Sequence, residues 1–475
     1  MVDIRPPSQT DAKAATRLAR PRRARTTASP TTRTVEITPT RLGLDTEQPP
    51  QAPGPDRVDA ERITGQTAGA VPTASSSTGS DLAGRRFLLV SVPFGRFGRV
   101  LAESLEARGA QVSRMLFNAG DLLYWRRGGG IKFKADVRHW PARLAELSTD
   151  YTDIVVFGEG GAYNQAVLRQ ARELGPRIWV LENGYFRPDW ITVERDGVNA
   201  SSSLPRDRSA YEEPVLEMPV ARPVGRILPH HVMNISLYHL IQVPGRWLFP
   251  RFTSPYTQPA WLQCAGHIRR YFGLAFQPRI ASDPKALAAK GRFFLICLQR
   301  EGDAQLLRYS QYPDNTAFMA EVMSSFARHA PRDCRLVVKN HPLDPGLVDL
   351  GHITRILAIE RGLADRVDFI DGGNLAQLCR ASRGMIVNNS SAALSAMGFG
   401  TPVKVLGNAF FDFDGLSDQQ PMDDFWTTPT PADPDLFYRF RAHVIARCQI
   451  NGNFHEPRAV PTTAEAIAEV FATRV

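Results

Sequence analysis

Long hydrophobic runs are missing from this chain. A helix needs roughly 18–20 consecutive apolar residues to cross a bilayer. The longest apolar stretches here, such as Ile154–Phe157 and Phe293–Leu298, are only strand-sized, so an integral membrane protein is not expected. Cysteine is scarce and scattered. The five, Cys264, Cys297, Cys334, Cys379 and Cys448, are odd in number and form no CxxC pair. A disulfide framework or a structural zinc site is therefore not expected, and a reducing compartment is. Aromatic residues are absent from Met1 to Ala83, as is the continuous apolar segment of a secretory signal. The P-loop and dinucleotide GxGxxG spacings are absent too. Gly128-Gly129-Gly130 follows no strand closely and reads as a flexible loop.

What is present points to a soluble protein of more than one domain. A chain of 475 residues exceeds one ordinary core, and its 43% hydrophobic and 22% charged residues are usual for globular proteins. The net charge of +9 is unevenly placed. Residues 1–42 hold nine basic and three acidic side chains, two-thirds of the excess. The basic charge thus belongs mainly to a Pro/Thr/Ser/Ala/Arg-rich tail over residues 1–84, read as disordered because it offers too little apolar surface to offset its ordering entropy. No nucleic-acid partner is expected. The tail is either a solvated linker or an arm for anionic lipid.

Beyond the tail, strand-like runs alternate with helical patterns, which indicates parallel sheet covered on both faces. Arg86–Pro93, Gln111–Phe117, Asp153–Gly158 and Ile178–Leu181 read as strands, with helices at Phe97–Arg108 and Tyr163–Leu174. The rhythm breaks over residues 206–285, rich in aromatics and prolines, and resumes with strands at Phe293–Leu298, Arg335–Lys339, Val367–Ile370, Met385–Val387 and Val403–Leu406. The expectation is a GT-B-like α/β protein, two Rossmann-like domains facing across a cleft. It comprises an acceptor-side domain at 85–205, a connecting region at 206–285, a nucleotide-sugar domain at 286–410, and C-terminal loops and helices at 411–475.

Ligands of open α/β sheets bind beyond the carboxyl ends of the strands, and four polar clusters fall there. Glu182-Asn183-Gly184 places a carboxylate at a strand tip, as a base toward a hydroxyl or a charge in an ordinary turn. His341-Pro342 places an imidazole at another, to donate to a phosphate or to satisfy a local need. Ser390-Ser391 opens a helix, where hydroxyls cap it, hold phosphate, or both. Gln299 with Asp303 lines the cleft or a solvated turn. Asp412-Phe413-Asp414 has a DxD spacing and Asp423-Asp424 is acidic, but both read as solvated loop positions.

These clusters, in this order, resemble the S-type capsule polysaccharide biosynthesis and export family. The resemblance runs from about Phe87 to His455. It includes Phe117-Asn118-Ala119-Gly120-Asp121, Glu182 through Pro188, Val198-Asn199, Leu298-Gln299 with Asp303 and Gln305, His341 through Asp344, Asn389-Ser390-Ser391, Pro402 through Gly407, and Ile450-Asn451-Gly452. It implies a retaining, metal-independent β-Kdo transferase that carries Kdo from CMP-Kdo to a phosphatidylglycerol-type lipid, with no further cofactor. By resemblance Glu182 and His341 are catalytic. Gln299, Asp303, His341, Pro342, Ser390 and Ser391 hold the donor, and Gly184, Arg187, Asn118 and Asp121 meet substrate. Two positions depart from the family pattern: Asn183 stands where a second acid is usual, and Val92 precedes Pro93 where Gly-Pro is usual. The implied location is cytoplasmic, peripheral at the inner face of the bacterial inner membrane, with a capsule synthesis or export complex as partner. Two other readings stay open: another CMP-activated ulosonic acid such as sialic acid, and a non-catalytic export scaffold.

Overall fold

The computed structural model describes residues 81–474 other than 172, 216, 256–257 and 276–281. The tail expected over 1–84 therefore lies outside the described residues as far as residue 80. Its last four residues belong to the fold. Leu82 is fully buried, its N–H donates to the Arg108 carbonyl at 3.0 Å, and Asp81 pairs with Arg108 at 2.6 Å. A single leucine among polar neighbours has no period by which the sequence could reveal it.

The strands, in chain order, are β1 (Arg86–Leu89), β2 (Gln111–Leu116), β3 (Gly130–Lys132), β4 (Asp153–Phe157), β5 (Arg177–Asn183) and β6 (Trp190–Arg195). They continue with β7 (Arg292–Cys297), β8 (Cys334–Lys339), β9 (Val367–Ile370), β10 (Met385–Val387), β11 (Val403–Val405) and β12 (Gln449–Asn451). One sheet has the order β12-β6-β5-β4-β1-β2-β3, the other β11-β10-β7-β8-β9. The second is parallel throughout, and the first is parallel except at β6 and β12.

Side chains alternate across each strand, and both faces are covered. In β1, Phe87 and Leu89 enter one core while Leu88 and Val90 just beyond enter another. In β7, Phe293, Leu295 and Cys297 face one core, and Phe294 and Ile296 the other. Double burial is why these strands are nearly continuous apolar runs. Asp153, fully buried in the first sheet, is held by Arg85 at 2.9 Å and by the Trp179 indole N–H at 2.9 Å.

The C-terminal segment does more than the loops and helices expected of residues 411–475. β12 pairs antiparallel with β6, and the helix Ala459–Thr473 lies on the first sheet, Phe471 stacking on Phe87 at 5.6 Å and meeting Trp179 at 4.5 Å. The glycine-rich segment is likewise not a free loop. Gly130 opens β3, and a Cβ there would stand 2.7 Å from Leu116 Cδ1. Between the two α/β halves run the helices Ile227–Gly245 and Ala260–Ala275. The halves face across a cleft in the GT-B-like manner.

Candidate active site

Each sheet has a point where the chain stops adding strands on one side and crosses to the other, and such points open a crevice at the carboxyl ends. In the first sheet the point lies between β1 and β4. Ser91 donates to Asn164 Oδ1 at 2.7 Å and accepts from the Phe157 N–H at 2.8 Å, while Asn164 Nδ2 donates to the Phe157 carbonyl at 2.7 Å. In the second sheet it lies between β7 and β10. There Gln299 Nε2 donates to Asn389 Oδ1 at 2.7 Å, and Asn389 Nδ2 donates to the Gln305 carbonyl at 3.0 Å. Ser390 and Ser391 follow directly. The Ser390 hydroxyl accepts from the Ala392 N–H at 3.3 Å, and Ser391 makes no side-chain cap to its helix. The expected cap is thus only partly made, and one hydroxyl stays available.

A cavity of about 560 Å³ lies between the halves, lined by Glu182, Asn118 and Asp121 from one and Asp303, Arg300 and Asp344 from the other. Glu182 is the first residue of β5 beyond its parallel pairing with β4. Strand pairing continues to Asn183 only through the antiparallel β6. The carboxylate thus leaves the open edge of the parallel sheet, beside Gly158, where a Cβ would stand 3.0 Å from its Oε2. Burial pushes the Glu182 pKa up, and the charges of Asp303 and Glu159 add to this. The Asn183 N–H, donating at 2.8 Å, and the charge of Arg187 act the other way. Asn183, standing where the family pattern has an acid, also points its amide at Glu182 Oε1 at 3.2 Å. The neighbouring carboxylates come instead from Asp303 and Glu159.

His341 is half-buried at the end of β8. Burial lowers its pKa to about 4, helped by the charges of Arg187, Lys339, Arg300 and Arg270. Its Nδ1 accepts from the Leu343 N–H at 3.1 Å, so the neutral ring carries its proton on Nε2 and is a donor. The loop is held by Arg270, which donates to the carbonyls of His341 and Pro342 at 3.0 Å each, to that of Asp344, and through Nε to Asp371 at 2.8 Å.

The predicted residues therefore divide. Glu182, Asp303, Asn118 and Asp121 share the cavity. Gln299, Ser390 and Ser391 share the second crevice. Arg187 acts by its charge on Glu182, Asp303 and His341 alike. Asn118 and Asp121 have a second job as a reciprocal cap on the helix Ala119–Trp125, and Asp121 is paired with Arg114 at 3.1 Å. Gly184 has a steric reason of its own: a Cβ would stand 2.1 Å from the Trp190 carbonyl oxygen. Asp412 accepts from Ser417 at 2.6 Å and Asp423 from Ser325 at 2.6 Å, which occupies both acidic loop motifs. Sequence reasoning missed Ser91–Asn164, Arg270 and Glu159. Only Glu159 carried a signal, being a carboxylate just past a strand, as Glu182 is.

The family model described as capsule polysaccharide biosynthesis protein matches residues 152–455. The chain belongs to that family. The capsule polysaccharide export protein KpsS of Escherichia coli is 31% identical over 387 residues, 79% of this chain and 98% of that one. The capsule polysaccharide modification protein LipB of Neisseria meningitidis serogroup B is 33% identical over 390 residues, 78% of this chain and 91% of that one. Among solved structures, the β-Kdo 2,7 transferase KpsC of Thermosulfurimonas dismutans is 14% identical with a TM-score of 0.36, covering 75% of this chain and 89% of that one.

In this capsule biosynthesis protein a buried network braces the hairpin that carries Glu182. The Tyr185 hydroxyl donates to Glu194 Oε1 at 2.6 Å and accepts from the Asn199 N–H at 2.6 Å, while Glu159 Oε1 accepts from the Val198 N–H at 3.0 Å. Burial raises Glu194 to about 7. A carboxyl raised on folding stabilises the fold fully below its unfolded pKa and loses that contribution as pH rises through the folded value. The thermal midpoint is therefore expected to fall more steeply across the interval from the ordinary value of 4.5 to about 7 in the wild type than in Glu194→Gln. Parallel curves by calorimetry would remove Glu194 as the cause.

Proposed function

We propose that this capsule biosynthesis protein transfers Kdo, or a closely related 3-deoxy-ulosonic acid, from its CMP form to a hydroxyl of a phosphatidylglycerol-type lipid. One observation carries the reading: Glu182 of the first half and Asp303 of the second line one cavity between the halves, and the charge of Arg187 bears on both of them and on the neutral imidazole of His341. An acid that can take a proton and a donor that can meet a phosphate are the two groups glycosyl transfer from a nucleotide sugar needs.

In the net reaction the bond between the anomeric carbon and the CMP phosphate oxygen breaks, and CMP departs with the electron pair. The acceptor oxygen bonds to that carbon and its proton passes to Glu182, whose raised pKa makes it the stronger base. His341 Nε2–H, the Ser390 and Ser391 hydroxyls and the Gln299–Asn389 pair face the leaving CMP, while Asp303 and Arg187 orient the donor. Retention of configuration, and a phosphate held by side chains without a metal ion, belong to the same proposal. A lipid acceptor in turn gives a peripheral location at the inner face of the inner membrane, alongside a capsule synthesis complex.

The test is mass spectrometry of the lipid after incubation with CMP-Kdo generated in situ and a short-chain phosphatidylglycerol. A gain of one Kdo is the expected result. CMP binding without a product would overturn the Kdo assignment and favour another CMP-activated ulosonic acid such as sialic acid. Neither binding nor product would overturn transfer in favour of an export scaffold.

A further inference from the structure

The helix Ile227–Gly245 leaves an uncharged, largely apolar half facing outward. A surface helix of a soluble protein turns apolar side chains inward and charged ones outward. Here the inward side mixes half-buried Ile227, Ile235 and Ile241 with polar or small residues, and the outward side carries no charge at all. Tyr238 meets Asn118 Nδ2 at 2.6 Å, the Asn234 carbonyl accepts from Tyr124 at 3.0 Å, and a Cβ on Gly245 would stand 2.1 Å from that of Ala119. Every exposed residue of the helix is uncharged, and Leu228, Val232, Met233, Leu237, Leu240 and Val243 are among them. At ~100° per residue these six occupy one half of the helix circumference. Trp247, 92% exposed, extends the surface past the helix end. The helix Ala260–Ala275 repeats the pattern. Trp261 and Ile268 are exposed on one side, and Gly266 on the other meets the second half so closely that a Cβ would stand 2.3 Å from the Pro345 carbonyl oxygen.

Charge identifies what covers this surface. From Met218 to Ser282 the chain has seven arginines and no aspartate, glutamate or lysine, where its own frequency of 48 acids in 475 residues would place about seven acids. Arg222, Arg226, Arg246, Arg251 and Arg269 are exposed. Indoles and aliphatic side chains set among arginines, with no acid to repel phosphate, match an anionic bilayer interface, where indoles sit at headgroup level and apolar faces reach the acyl boundary. The inner side of the same segment, through Tyr238, Phe252, Pro255 and Gln263, lines the cavity that holds Glu182.

We infer that the outward faces of the helices Ile227–Gly245 and Ala260–Ala275, with Arg246, Trp247 and Arg251 between them, form a docking surface for an anionic lipid bilayer, and that the acceptor lipid enters the cavity from beneath it without crossing water. Only the second clause rests on the lipid-transfer reading. The experiment is co-sedimentation of the full chain with vesicles of phosphatidylcholine alone or with phosphatidylglycerol. The wild type is expected to bind only the anionic vesicles. Leu240→Ser/Val243→Ser/Trp247→Ser should weaken binding at least ~10-fold, and Arg246→Gln/Arg251→Gln should weaken it and flatten its salt dependence. Thermal unfolding and transfer to a dispersed short-chain acceptor should not change in either variant, since these side chains lie outside the cavity. Vesicle binding unaltered by the apolar substitutions would overturn the proposal. So would a wild-type dimer that ignores vesicles and that the same substitutions convert to monomer, since a second copy would then own the face. Binding that the substitutions abolish, with no transfer by the wild type in any format, would uphold the docking surface and overturn lipid transfer.

Discussion

Glu182→Gln is expected to lower sugar transfer by about 10³-fold, within the range for losing a positioned general base, while CMP binding stays within a few-fold of wild type. The substitution keeps the shape of the side chain and removes its charge. Burial raises the pKa of this carboxyl, with Asp303 and Glu159 adding to the effect, so its ionised form opposes folding above the ordinary carboxylate range. A residue kept for stability would lower the melting temperature when neutralised. Glu182→Gln should leave it unchanged or raise it at pH 8, and an ionisable group held at the expense of stability belongs to function. The wild-type pH profile adds an independent check. The base must be ionised, so activity should fall as pH drops through a value above the usual carboxylate range. His341, lowered to about 4, should contribute no step near 6.5. Near-normal turnover by Glu182→Gln, measured by product mass, would remove it from the reaction.

Arg270→Ala should destabilise the fold by about 3–5 kcal/mol, the usual cost of removing one partner of a buried ion pair. Arg270 and Asp371 are 7% and 13% exposed. The guanidinium serves Asp371 and three carbonyls of the His341–Asp344 loop at once. Without it a buried carboxylate loses its partner and the loop that positions the imidazole loses its brace. Lysine should not rescue, because a point charge cannot supply the planar fork of donors. Arg270→Met/Asp371→Asn should cost less than the sum of the single changes, since it removes both buried charges together. Urea unfolding of the four proteins closes the cycle, and strict additivity would show that the pair is not coupled.

Much of the fold can be read in the chain because parallel strands are buried on both faces. Phe293–Leu298 and Leu336–Val338 are apolar runs within the strands they mark, separated by a helix-period segment. β3, β6 and β12 escape that reading. β3 and β12 are three residues long, and Gln449-Ile450-Asn451 holds one apolar side chain. β6 is antiparallel and takes its far edge from β12, more than 250 residues later in the chain.

The site divides the same way. Glu182, His341, Gln299 and Ser390 could be found because a parallel sheet sends all its carboxyl ends to one edge, so a polar residue just past an apolar run is already placed. Arg270 could not be found, since its acid lies 101 residues away and nothing local marks either partner. The sequence alone determined two covered, largely parallel sheets, the polar residues at their strand ends and the family resemblance. It also determined the acid-free, arginine-bearing composition of residues 218–282. Only the tertiary structure decided that Glu182 and Asp303 share a cavity, that Asn118 and Asp121 also cap a helix, and that Gly184 answers to Trp190. It alone turned the apolar half of Ile227–Gly245 outward. Apolar periodicity records that a face is to be covered, whereas what covers it depends on which distant elements arrive first to bury it.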